Sequence, residues 1–105
     1  MSTLFYLSIA YTAETHRRHV TLIGETDRHV YGIRYDQGEK RTFRKDWAPV
    51  DMMELYGPIR EALGVIAGNC IADIRILLEV EEGSNAYKAA FWRVKNQLEV
   101  GYSAS

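Results

Sequence analysis

Cysteine, proline and long apolar runs are scarce in this chain of 105 residues, which holds one cysteine and two prolines. The lone Cys70 cannot close an internal disulfide or supply a thiolate metal site, so we expect it to be a small buried core residue. No apolar run approaches the roughly 20 residues of a membrane-spanning helix. The start Met1-Ser-Thr-Leu lacks the basic residues of a signal peptide. We therefore expect a cytoplasmic protein with no membrane partner.

The chain also lacks an overall charge that would direct it to a polyanion, since its formal net charge is -1. Residues 1–50 nevertheless hold eight Lys and Arg against six Asp and Glu, whereas the remainder holds five against eight. Hydrophobic residues make up 47% and charged residues 26%, which is typical of a folded globular chain. This length and composition predict a single domain over residues 1–105.

Period-two alternation of aromatic and β-branched residues predicts four strands in the first half of the chain. They cover residues 4–11, 18–23, 29–35 and 41–45. The connections are short, which favours hairpins and antiparallel neighbours. We expect an antiparallel β-meander over residues 1–47, either curled into a small SH3-like barrel or covered by the second half of the chain.

After the predicted meander, the apolar residues recur at helical spacing. Asp51 can cap a first helix, and Ile59 and Leu63 share its apolar face. Pro58 suits a first helical turn because its missing N–H has no partner there in any case, so Gly57-Pro58 predicts either two short helices or one kinked helix. Gly64 is the expected stop of this helix.

The rest of the mainly helical part, residues 50–101, contains one ambiguous and one clear segment. Residues 70–82 fit a strand about as well as a helix, and we favour the helix. Ser84 is a good N-cap for a helix over 84–99, and Gly101 is its expected end. The apolar stripe of this last helix consists of Tyr87, Ala90, Phe91, Val94 and Leu98. The sequence thus predicts an α+β fold in which two or three helices follow the meander.

Four blocks in the first 47 residues resemble the WYL-domain family. They read Ile9-Ala-Tyr, Arg18-His-Val-Thr-Leu, His29-Val-Tyr-Gly-Ile-Arg-Tyr-Asp and Arg41-Thr-Phe-Arg-Lys-Asp. Val30-Tyr31-Gly32 stands where the family has Trp-Tyr-Leu, and the helical half lies outside the resemblance. The resemblance implies a small Sm-like or SH3-like barrel that senses a ligand, such as a nucleic acid or nucleotide, through basic side chains on its last strands.

The basic segment 40–47 is the main candidate site. Arginine suits phosphate because its planar fork donates two parallel hydrogen bonds. Tyr31, Tyr35, Phe43 and Trp47 are candidate stacking surfaces for bases. The alternative is a solvated edge strand whose charges prevent aggregation. The predicted ligand or nucleic-acid contacts are Arg34, Lys40, Arg41, Phe43, Arg44 and Lys45, extended by Arg17 and Arg18.

Two further sequence patterns give weaker indications of a binding site. The histidines of 16–19 point to opposite faces of a strand, so we predict no metal site. The Glu82-Gly-Ser-Asn turn followed by a basic helix is similar to a helix-turn-helix, with Lys88, Arg93 and Lys95 toward the groove of DNA. A helix that simply packs on the core is the alternative.

Catalytic motifs are missing: there is no Gly-rich phosphate loop, nucleophile motif or metal-ligand spacing. We therefore predict no enzyme and no cofactor. The favoured function is a binding module for nucleic acid or a phosphorylated ligand, of the kind found among phage and mobile-element accessory proteins. The alternative is a protein–protein interaction or homo-oligomerisation module that uses Tyr6, Trp47, Trp92 and Tyr102, with Trp92 and Trp47 as interface residues.

Overall fold

A β-meander precedes three helices, which confirms the predicted α+β arrangement. The computed structural model describes residues 4–11, 17–26, 30–37, 39–45 and 56–104, except for the side chains of 39–45, 56–58 and 101–104. The elements are β1 (Leu4–Tyr11), β2 (Arg18–Glu25), β3 (Val30–Asp36), β4 (Glu39–Lys45), α1 (Tyr56–Asn69), α2 (Ile71–Glu79) and α3 (Asn85–Ala104). His16, His29, Trp47 and Asp51 lie outside the described residues.

The four strands pair antiparallel in the order β1-β2-β3-β4, so β1 and β4 are the two edges of the described sheet. Residues directly opposite each other share a face, and the register therefore sorts the strands into two rows. Phe5 lies opposite Gly24 and Gly24 opposite Tyr31, whereas Ser8 lies opposite Thr21 and Thr21 opposite Arg34. Among these strands the sheet is open, and closure into the alternative barrel is not seen.

One face of the sheet, called the inner face here, is covered by the helices. α3 contacts β1, while α1 and α2 contact β2 and β3. Val20 and Leu22 are fully buried there, as their predicted shared face requires. Each such side chain contributes roughly 1.5–3 kcal/mol by leaving water. The core continues into the helices through Leu63, Ile74, Leu77, Val94 and Leu98.

α1 runs beyond the residue at which the sequence predicts its end. Pro58 lies in the first turn, as predicted, but the helix continues through Gly64 to Asn69. Ile66 and Ala67 extend the buried face that begins at Ile59. A glycine in a helix interior costs only about 1 kcal/mol, and burial of this second stretch outweighs that cost.

The helical choice for residues 70–82 is confirmed, because Ile71–Glu79 forms α2. The expected N-cap of α3 is also present, since the Tyr87 N–H donates to Ser84 Oγ at 3.2 Å. Gly83 in the preceding turn has φ of 84°, a conformation that glycine adopts without strain. The predicted end at Gly101 is wrong, because α3 continues to Ala104.

Cys70 lies between α1 and α2 and is 1% exposed, as predicted. Burial raises the pKa of its thiol above the ordinary value, with a smaller contribution from the Asp73 carboxylate. A thiol held in its neutral form is a poor nucleophile. Cys70 therefore belongs to the core and not to a reactive site.

Candidate functional site

β4 carries most of the basic residues that the sequence singles out, and it forms one edge of the sheet. Its seven residues, Glu-Lys-Arg-Thr-Phe-Arg-Lys, include four basic residues and one acidic residue. Arg41 lies opposite Arg34 on β3. Lys40 and Arg44 occupy the other row of the ladder, whereas Phe43 and Lys45 share the row of Arg41. Cationic residues thus stand at backbone positions of both rows along one edge of the described sheet.

The row that contains Lys40 and Arg44 continues onto two tyrosines of β3. Lys40 lies opposite Tyr35, and Arg44 lies opposite Tyr31. Both rings are buried, with 5% and 6% of their surface exposed. The prediction that Tyr31 and Tyr35 offer stacking surfaces to bases is therefore wrong, because the core occupies their faces. Burial also raises the pKa of Tyr35 above its ordinary value.

The row on the outer face contains an ionic cluster beside the basic edge. Arg34 Nε lies 3.2 Å from Asp36 Oδ1, and His19 Nε2 lies 3.5 Å from the same oxygen. Asp36 is buried, whereas 35% of the Arg34 side chain is exposed. Like charges directly opposite each other destabilise a sheet. Arg34 and Arg41 occupy opposite register positions, and the Asp36 carboxylate neutralises part of the Arg34 charge.

The two arginines at the start of β2 have different environments. Arg17 is exposed. Arg18 turns toward the helices, and its Nη1 donates hydrogen bonds to the carbonyl oxygens of Leu77, at 2.5 Å, and Val80, at 2.6 Å. The last carbonyls of a helix lack partners within the helix. Arg18 therefore caps the end of α2, and we leave it out of the proposed ligand surface.

Trp92, one of the two predicted interface residues, projects from α3 with 56% of its surface exposed. Its ring meets Phe91 edge-on at a centroid distance of 6.1 Å. The Lys95 ammonium lies 4.7 Å from the centroid of the Trp92 ring. The Trp92 ring is thus exposed to solvent and contacts two neighbours on its own helix.

A groove lies next to Trp92, between the β1 edge and α3, and sequence reasoning missed it. Its volume is about 380 Å³. The apolar part of its lining comes from both elements, and Lys95 and Glu99 add one charge of each sign. The lining residues are Leu4, Phe5, Tyr6, Leu7, Phe91, Lys95, Leu98 and Glu99. The sequence feature that could have indicated this groove is the absence of charged residues from 4–11.

The helix-turn-helix similarity finds limited support in the arrangement of α2 and α3. Arg93, predicted to face DNA, instead donates to Asp73 of α2, with Nη2 2.8 Å from Oδ1. Lys95 lies over the Trp92 ring. Lys88 and Asn85 are exposed. Two of the three cations predicted for that surface thus make contacts within the protein.

Comparison of the chain with protein-family models, with curated proteins and with solved structures finds no match. The resemblance to the WYL-domain family therefore stays a prediction. Among the residues that the structure describes, no group of three or more His, Cys, Asp or Glu side chains is placed to hold a metal ion. None of the described helices combines the length and the apolar character that crossing a bilayer requires.

Proposed function

We propose that this chain is a non-enzymatic binding module that holds nucleic acid or a phosphorylated ligand along β4. The observation that supports this proposal is the concentration of charge at one sheet edge. β3 contains one basic and one acidic residue, whereas β4 contains four basic residues against one acidic residue. The two strands together have a net charge of +3, and all of it comes from the edge strand β4.

The register gives this charge a useful geometry. Positions two residues apart on a strand are about 6.6 Å apart, so Arg41 and Lys45, which are four apart, span about 13 Å. That distance suits contacts to separate phosphates of a polyanion. Arg34, opposite Arg41, is fixed by Asp36 and keeps a third of its side chain open. A phosphate at this edge would replace the repulsion between facing arginines by charge-assisted hydrogen bonds.

Charged edge strands also serve to block pairing with other sheets, so the experiment must separate the two roles. Fluorescence anisotropy should be measured with labelled single-stranded and duplex oligonucleotides and with a phosphorylated peptide, each at low and high salt. We expect binding that weakens as salt rises. Arg41→Ala and Arg44→Ala should each weaken it several-fold, and should reduce the salt slope by about 0.7–0.9 for each phosphate that the variant no longer neutralises.

Arg75→Ala is the matched control, because Arg75 is an exposed arginine on α2. It should bind like the parent chain. If none of these ligands binds at low salt, or if Arg75→Ala weakens binding as much as Arg41→Ala, the proposed function is wrong.

The alternative function is a protein-interaction or homo-oligomerisation module. The observation that favours it is the exposure of Trp92 beside the β1–α3 groove. Of the other aromatics predicted for this role, Tyr6 donates its hydroxyl to Glu25 Oε1 at 3.0 Å. Trp47 and the Tyr102 side chain lie outside the described part of the chain. An interface of this type therefore centres on α3 and β1.

A further inference from the structure

The two edges of the sheet differ in chemical character. β4 carries five charged residues among seven, whereas β1, Leu-Phe-Tyr-Leu-Ser-Ile-Ala-Tyr, carries none among eight and contains no proline or glycine. Leu4 and Tyr11, at its two ends, are each 52% exposed. Proteins normally protect exposed edges with charges, prolines or bulges. A long uncharged edge strand without these devices is typical of strands that pair with another chain.

The groove described above runs along the same edge. Phe5 and Leu7 contribute its wall from β1, and Phe91 and Leu98 contribute the wall from α3. A strand added to β1 would extend the sheet, and the side chains on its inner face would enter this space. The backbone of β1 and the groove therefore form one continuous surface, with Trp92 exposed beside it.

We propose that β1 pairs antiparallel with β1 of a second copy of this chain, so that the two sheets form one eight-stranded sheet. Opposite residues of an antiparallel pair share a face. A two-fold axis perpendicular to the sheet therefore keeps the helices of both copies on one side, with the two α3 helices facing each other across the axis. Such a contact is self-complementary by symmetry.

The charges of the groove favour a second copy over an unrelated peptide. Lys95 and Glu99 stand one helical turn apart on the groove side of α3. A two-fold axis that passes level with residue 97 of the antiparallel α3 helices places Lys95 of each copy toward Glu99 of the other. β1 itself brings no charge to the axis, so self-pairing creates no repulsion there. Opposite charges at the rim and apolar side chains at the centre are the usual arrangement of a protein interface.

This inference deepens the alternative function and does not rest on the binding proposed for β4, because it concerns the opposite edge of the sheet. Binding of an anion at β4 and association through β1 can therefore fail separately. An oligonucleotide titration reports on the former, and the mass of the ligand-free protein reports on the latter.

The test measures the mass of the full chain by light scattering and sedimentation from low to high micromolar concentration. We expect twice the chain mass of 12.0 kDa, with dissociation on dilution. Ser8→Lys places a lysine on an exposed position of the uncharged strand β1, so the proposed interface would contain one added lysine from each copy. It should raise the dissociation constant about tenfold or more, since like charges across strands repel. Gln97→Lys, at an exposed site on the far side of α3, should leave association unchanged.

A charge exchange tests the second copy specifically. Lys95→Glu should weaken association, and the double variant Lys95→Glu with Glu99→Lys should restore it, because the exchanged pair remains complementary under two-fold symmetry. Circular dichroism spectra should show that all variants keep the parent fold. The proposal is overturned if the parent chain is monomeric at every concentration. It is also overturned if its dimer survives both Ser8→Lys and Lys95→Glu.

Discussion

Replacing Arg18 by methionine should lower the free energy of unfolding by about 2–3 kcal/mol. Its Nη1 satisfies the carbonyl oxygens of Leu77 and Val80, at 2.5 and 2.6 Å. A hydrogen bond to a charged group contributes about 1.5–3 kcal/mol, and the two bonds here share one nitrogen on a partly exposed side chain. Water can reach part of that site, so the expected decrease is smaller than the sum of two independent bonds.

Two aromatic rings add to the same contact. The Arg18 guanidinium carbon lies 5.9 Å from the Tyr11 ring centroid and 5.5 Å from that of Tyr87. Cation–π contacts at partly exposed sites contribute about 0.5–1 kcal/mol. Methionine keeps an apolar stem that packs against these rings, so the substitution removes mainly the polar head and leaves little empty space.

Urea unfolding followed by circular dichroism measures this change directly. Arg17→Met is the matched control, because Arg17 is the adjacent arginine and is exposed. It should change the free energy of unfolding by no more than about 0.5 kcal/mol. If Arg18→Met lowers the free energy of unfolding no more than Arg17→Met does, the capping of α2 by Arg18 does not stabilise the fold and this prediction is wrong.

Three further predictions concern two glycines and the buried titratable groups. Gly24→Ala should lower the free energy of unfolding by about 1–3 kcal/mol, because its added Cβ would lie 2.7 Å from Ile59 Cγ2. Gly64→Ala, whose added Cβ meets nothing within 4 Å, should raise the free energy of unfolding by about 0.5–1 kcal/mol in the same urea assay. If the two substitutions change the free energy of unfolding equally, the close packing of Ile59 on Gly24 is refuted. Burial raises the pKa values of Cys70 and Tyr35 above their ordinary 9.0 and 10.0, so the unfolded chain ionises first. Stability should stay level up to about pH 9 and fall above it, and unfolding curves that coincide at pH 8 and pH 10 would contradict this.

The strands and their faces were largely predictable because alternation is a local signal. Val20 and Leu22 are buried together as their spacing requires. The same signal cannot tell which face the helices cover, and for this reason it suggests a ligand for Tyr31 and Tyr35 although both lie in the core. Glycine was a poor guide to helix ends, since Gly64 lies inside α1. The free-energy cost of a glycine inside a helix is small compared with the free energy gained by burying the residues that follow it.

Features that depend on distant partners could not be predicted from local patterns. Arg18 is separated from Leu77 and Val80 by 59 and 62 residues, so its role as a cap becomes visible only in the folded chain. The β1–α3 groove likewise joins the first strand to the last helix. The basic character of β4 was evident in the sequence, but its position at an edge required the strand order.

The unequal edges of the sheet limit how far it can grow. β1 can receive another strand, because neither charge nor proline opposes one there. Once that edge is occupied, β4 forms the outer boundary, where four basic residues repel a further copy of the same strand. In the proposed dimer, growth by strand addition would therefore stop after one step. A dimer built in this way would use the strand edge at β1 without becoming the seed of a fibre.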